Sequence, residues 1–241
     1  PRAGIDEYSS KSVTITACDY AAGTITVNVN PAGTNKTFTP TGGTYDPATG
    51  VLTLDIGQHG IGVGRSIKLA DNSLTFSCTY GSGGNGTYPR PGTDPFAGKS
   101  ILITGVGSTQ HTVTNAGYTA GTGVLSLTIP THGFSNGDYI KIADNSLTFT
   151  CDKDNNSSTH TYPRTSDAAS GRWYAITNAT ANSFDVNVGQ AGTFGDFTHT
   201  FVSATSNGVD KQNGTITLNV GVGTGSGNAP HTFVSASADA V

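Results

Sequence analysis

The sequence predicts an all-β protein with little or no helix, built from tandem small antiparallel β-sandwich modules of immunoglobulin-like size. Three observations lead there. The chain of 241 residues carries 33 Gly and 10 Pro, abundant Thr, and a single Glu at Glu7, a supply suited to pleated strands and tight turns rather than to helix faces. Val, Ile, Leu, Phe and Tyr alternate with polar residues over short runs, which marks half-buried strands and argues against disorder. Finally, the sequence repeats itself, and such repetition is the mark of modular architecture.

The main repeat is VLTLDIGQHGIGVGRSIKLADNSLTFSC from Val51 to Cys78, matched by VLSLTIPTHGFSNGDYIKIADNSLTFTC from Val124 to Cys151, with 17 identities over 28 positions at an offset of 73. Each copy runs through a variable Gly-, Asn- and Ser-rich stretch to Thr-Tyr-Pro-Arg, at Thr87 to Arg90 and at Thr161 to Arg164. Pro1-Arg2 opens the same register: Asp6, Lys11-Ser12 and Ile15-Thr16 correspond to Asp94, Lys99-Ser100 and Ile103-Thr104. A shorter element recurs from Ile25, Phe184 and Ile216, the last two ending in His-Thr-Phe-Val-Ser-Ala at His199 and His231. Pro1 thus falls inside a repeat. Both ends read as cuts in a longer tandem array, with Val241 as a true end the other reading. The register delimits a front half-module at 1–44, sandwich repeats at 45–117 and 118–204, and a partial repeat at 205–241.

Strands are expected at Val13 to Ala17, Thr24 to Val29, Val51 to Leu54 with Ile56, Ile101 to Thr104, Phe184 to Val188 and Thr215 to Val220. Ile140 to Ile142 and Leu147 to Cys151 alternate around Ala143-Asp144-Asn145-Ser146, which predicts a β-hairpin, as does Ile67 to Cys78. Asp71-Asn72 and Asp144-Asn145 read as turn residues suited to positive φ rather than as an acidic site.

Charge excludes one class of partner. Lys and Arg number 12 against 16 Asp and Glu, a formal net charge of −4, with no basic cluster, so nucleic-acid binding through phosphates is not expected. No apolar run approaches the roughly 20 residues of a membrane span, so no membrane insertion is expected.

The candidates for chemistry each have a structural reading. His59 and His132 stand at equivalent places and are expected to bond backbone in a turn rather than to bind metal or act as bases, since no ligand partner recurs beside them. His199 and His231 are expected in strands. Asp152-Lys153-Asp154-Asn155-Asn156 opens like a calcium loop but lacks the Gly at the sixth place and the Glu at the twelfth. Cys78, Cys151 and Cys18 are expected as thiols, in no disulfide framework. Sequons at Asn35, Asn85, Asn155, Asn156, Asn178 and Asn213 follow from composition. Trp173 and Tyr174 could stack on a sugar, but they align with Ser100-Ile101 and so read as packing residues. Gly221 to Gly227 lacks the Lys of a phosphate loop. No catalytic, cofactor-binding or metal residues are assigned, and no enzyme is expected. The loops that vary between copies, Thr79 to Gly86 and Asp152 to Thr159, are where recognition is expected.

HGFSNGDYIKIADNSLTFTC, its sister around His59, the following TYPR and the recurring HTFVSA together resemble repeat modules of large tail, fibre or capsid-surface proteins in the virions of tailed phages, chiefly of marine cyanobacteria and other aquatic bacteria. The resemblance implies a non-enzymatic structural component of a virion appendage, located in the virion or outside the cell. Its partners would be copies of itself, neighbouring virion or filament proteins and a host-surface glycan. It assigns no functional residue. Two other readings stand beside it: a subunit of a bacterial extracellular surface filament or adhesin, and a carbohydrate-binding module with contacts at Trp173, Tyr174 and the loop around Asn155.

Overall fold

A computed structural model of the chain describes residues 15–19, 24–27, 36–79, 84–190, 197–222, 229 and 231–241. Pro1-Arg2, Glu7, the sequon at Asn35, the Cys18 side chain and most of Gly221 to Gly227 lie outside the described residues. Strands β1 (Ile15–Asp19) and β2 (Thr24–Val27) form an antiparallel pair. The first repeat copy supplies β3 (Gly42–Asp46), β4 (Val51–Asp55), β5 (Ser66–Lys68), β6 (Leu74–Cys78) and β7 (Asn85–Tyr88). After β8 (Ser100–His111), the second supplies β9 (Asn115–Thr119), β10 (Val124–Thr128), β11 (Tyr139–Ile142), β12 (Leu147–Cys151) and β13 (Thr159–Tyr162). β14 (Tyr174–Ala175), β15 (Ser183–Asn187), β16 (His199–Ala204), β17 (Val209–Asn219) and β18 (His231–Ala236) follow. Among the described residues the only helical element is a 3₁₀ turn, Asp152–Asp154, so the chain is all-β as its composition predicts.

These strands gather into two compact units whose segments interleave along the chain. One comprises Pro1–Leu54, Val63–Thr104 and Leu218–Val241; the other comprises Asp55–Gly62 and Gly105–Thr217.

In the second unit, an antiparallel sheet runs in the order β13-β12-β16-β9-β10-β15. β11 pairs instead with β14 and with the start of β17, through Ile140↔Tyr174 and Ile140↔Lys211. Strand alternation turns Leu125, Leu127, Leu147, Phe149, Phe184 and Val186 of the six-stranded sheet inward, and Ile140, Ile142 and Val209 of the other strands meet them in one apolar cluster. The result is sandwich-like, with one core between two sets of strands.

The expected hairpin from Ile140 to Cys151 is not formed. β11 and β12 lie in different sheets, and the Ala143–Ser146 turn carries the chain from one to the other. The reason lies in the inward sets. Ile140 and Ile142 are buried, and so are Leu147 and Phe149, and facing sheets let both sets meet in the core. The turn's amides are taken by other partners: Ala143 N–H donates to Gly208 and Asn145 N–H to Pro163. Asn145 does adopt the expected positive φ, 58°. The Ile67 to Cys78 stretch corrects in the same way, since β5 pairs with β8 while β6 pairs with β7 and β18, around Asn72 at φ 56°.

In the first unit, the order β7-β6-β18-β3-β4 reproduces β13-β12-β16-β9-β10. Register agrees residue by residue. His231, Phe233 and Ala236 lie opposite Cys78, Phe76 and Leu74, as His199, Phe201 and Ala204 lie opposite Cys151, Phe149 and Leu147. Both ladders slip at the same place, leaving Val202 and Val234 out of register, 49% and 48% exposed, as the extra residue of a β-bulge should be. The HTFVSA strand that completes the first unit therefore comes from sequence beyond Thr217, after the whole of the second.

Candidate functional site

The histidines that recur in the sequence serve the backbone. His59 Nδ1 accepts from Ile61 N–H and His132 Nδ1 from Phe134 N–H, both at 2.9 Å. Both rings are buried, and His132 packs against Phe134 and Phe184 at 4.6 and 5.2 Å between ring centroids. Burial pushes His59 down to about 4, against a weaker opposing bond with the Thr215 backbone. His199 and His231 begin β16 and β18, direct Nδ1 at the carbonyls of Phe197 and Ala229, and meet Tyr118 and Tyr45 edge-on. Each of these four rings holds a turn or strand end in place.

The acidic stretch after β12 also folds on itself. Asp152 Oδ1 accepts from Thr198 N–H, while Asp154 Oδ2 accepts from the Ser158 hydroxyl and contacts His160 Nε2 at 3.2 Å. The Ser158 bond first, then His160, holds the Asp154 carboxyl below its ordinary value. Asn155 and Asn156 sit at φ 53° and 57°, which closes the loop. Two carboxylates facing different partners do not form a common oxygen cage.

Trp173 and Tyr174 are half-buried. Tyr174 packs on the core cluster, where burial pushes its phenol up, and Lys141 Nζ lies 5.0 Å over the Trp173 ring while bonding Asp210 at 2.9 Å. Ile140↔Tyr174 repeats the register of Ile67↔Ile101, so the alignment with Ser100-Ile101 holds in space. No disulfide joins Cys78, half-buried, or Cys151, buried. The sequon residues Asn85, Asn155, Asn156, Asn178 and Asn213 are exposed.

A concave cleft lies wholly within the second unit. It encloses about 620 Å³, between the segment after Pro163, the Asp152–Asp154 turn, β13 and the residues just past β15. Leu125, Phe149, Cys151 and Val188 form its apolar lining; Tyr118 and Tyr162 add rings with hydroxyls. Its polar lining comes from Asp154, His160, Arg164, Asp167, Gln190 and His199. Arg164 is held by Asp167 through a bidentate contact of 2.9 to 3.2 Å, and Gln190 is anchored through Nε2 to the Gly121 carbonyl at 2.6 Å. His199 points its Nδ1–H at a carbonyl, which can only accept, so its Nε2 is an acceptor in the neutral ring. Asp154 Oδ1 is buried with no hydrogen-bond partner among the described residues.

Of the cleft residues, the sequence singled out Cys151, Lys153 and Asp154 in the acidic run, Thr161 to Arg164 in the recurrent Thr-Tyr-Pro-Arg, and His199, and it named only the loop from Asp152 to Thr159 as a place of recognition. Arg164-Asp167 had a signal in the recurrent Tyr-Pro-Arg, since Arg90 binds Asp94 in the same way at 2.8 Å. Tyr118 on β9, His160 on β13 and Gln190 just past β15 carried none.

No protein-family model, curated protein or solved structure matches this chain.

Proposed function

We propose that the chain is a non-enzymatic structural component of a tailed-phage virion appendage, a fibre, tail or capsid-surface protein, whose partners are copies of itself and neighbouring virion proteins. The observation that carries this reading is the reuse of one strand order and one register in both units, the economy of a scaffold made by repetition. The ionisable groups point the same way. His59 and His132 fix turns, Asp94 and Asp167 bind Arg90 and Arg164, and Asp46 accepts from the amide of Ala48 and the hydroxyl of Thr49 to close the β3–β4 turn. These side chains hold the architecture and face no common reacting centre. The outer strand β13 of the six-stranded sheet offers an edge through which copies could associate.

The test is location. Antibody raised to the purified chain should label appendages of phage particles in electron micrographs, and particle proteomics should recover its peptides at structural copy number. Label on filaments of uninfected bacteria instead would replace this reading with that of a cell-surface filament.

A further inference from the structure

We propose that the cleft of the second unit is a binding site for a neutral mono- or disaccharide, held by Asp154, His160, Gln190 and His199 against the rings of Tyr118 and Tyr162. The inference goes beyond the structural role and holds whether or not the chain belongs to a virion.

Size comes first. About 620 Å³ lies within the range of roughly 300–1,000 Å³ typical of small-molecule sites. The lining chooses the chemistry. A purely apolar guest would leave the His199 Nε2 acceptor without a donor, which costs free energy for a desolvated polar atom. An anionic guest would need an excess of positive charge, yet Lys153 and Arg164 in the lining are matched by Asp154 and Asp167, and Arg164 is bound bidentately by Asp167. A cationic guest meets the same balance of charge, since Lys153 and Arg164 line the cleft beside the two carboxylates. A polyol fits. Its hydroxyls donate to Asp154 and to the His199 acceptor, and they accept or donate at Gln190 and His160. Its C–H faces rest on aromatic rings.

Comparison of the two units shows which groups the fold itself requires. The Arg-Asp pair and the edge-on Tyr-His contact occur in both, as Arg90-Asp94 with Tyr45-His231 and as Arg164-Asp167 with Tyr118-His199. His160 does not recur: it lies opposite Phe149, where the first unit has Gly86 opposite Phe76. The strand tolerates Gly there, so the imidazole and the carboxylate it meets are additions to the scaffold rather than parts of it.

The experiment uses the whole chain, titrated with cellobiose, maltose, lactose and N,N′-diacetylchitobiose by saturation-transfer difference NMR and calorimetry. At least one should bind saturably. Asp154→Asn and His160→Gly should each weaken it about tenfold or more, as loss of a hydrogen bond to a charged or buried group implies, with the folded circular dichroism spectrum of both variants retained. Trp173→Ala should leave affinity unaltered, which separates the cleft from a surface platform. Absence of saturable binding by all four up to roughly 10 mM, or binding indifferent to both cleft variants, overturns the proposal.

Discussion

The Tyr118 hydroxyl donates to the Gly189 carbonyl at 2.9 Å, tying β9 to the residues just past β15. Tyr45 makes the equivalent bond to Gly221, also at 2.9 Å, in the other unit. A phenol that reaches one particular carbonyl in both copies is part of the scaffold. Tyr45→Phe and Tyr118→Phe keep the ring and its contact with His231 or His199 and remove only the bond. Each should cost about 1 kcal/mol, read as a lower urea midpoint with an unchanged slope. No change in either variant would show that solvent replaces the bond at no cost.

The same two junctions bring backbones together. Gly123 has φ 73° and Gly50 also φ 73°, and a Cβ on either would meet the backbone of Gly189 or Gly221. Val188 N–H donates to Gly123 and Val220 N–H to Gly50, so neither strand can withdraw without losing a bond. Gly123→Ala therefore combines a left-handed backbone penalty with a backbone overlap, about 2–4 kcal/mol together. Gly133→Ala has a similar φ, 68°, and nothing near its Cβ, so it should lose only about 1–2 kcal/mol. Chemical denaturation of the pair separates crowding from dihedral strain.

These junctions show what could be read from the sequence. Strands with marked alternation could be placed, and Val51–Asp55, Leu147–Cys151 and Ser183–Asn187 fall within a residue or so of their expected places, whereas the polar, Gly-bearing or short Gly42–Asp46, Asn85–Tyr88, Asn115–Thr119 and Thr159–Tyr162 were not foreseen. Pairing did not follow, because alternation tells which residues face inward but not from which sheet. Ile140-Lys141-Ile142 followed by Leu147 reads as a hairpin, and only the amides of Ala143 and Asn145, spent on Gly208 and Pro163, show that it crosses between sheets. The cleft was legible only where one loop formed it. Tyr118, His160 and Gln190 converge through a strand order, β13-β12-β16-β9-β10-β15, that no local pattern encodes.

Gln212 is wholly buried and was equally invisible in the sequence. Its Oε1 accepts from Gly60 N–H at 3.0 Å and its Nε2 donates to the Ile61 carbonyl at 3.1 Å. The amide thus acts as a substitute strand for the two residues after His59. Gln212→Ala leaves the part-buried Gly60 N–H and Ile61 carbonyl without these partners and should destabilise by about 1–3 kcal/mol. Gln212→Glu keeps the acceptor but cannot donate while ionised, so its deficit should shrink as the carboxyl is protonated. Thermal melts at neutral and mildly acidic pH check both expectations.

His59 gives the fold an acid sensitivity with a definite sign. Burial holds its folded-state value near about 4, against an ordinary 6.5. As pH falls, the unfolded chain takes up the proton first, so the stability carried by the neutral ring is whole above 6.5. It drains between 6.5 and about 4, and below that both states hold the proton and the loss levels off. The full effect is on the order of 3 kcal/mol. His59→Asn keeps an acceptor for Ile61 N–H but does not titrate. Its stability should therefore fall less steeply between about pH 6.5 and about pH 4.5 than that of the parent. Carboxylates such as Asp94, whose burial is outweighed by its bonds to Arg90, contribute a slope common to both chains and cancel in the difference. Parallel curves for the two chains, measured by urea unfolding across this range, would mean that His59 protonates as readily folded as unfolded and that its burial is not maintained in solution.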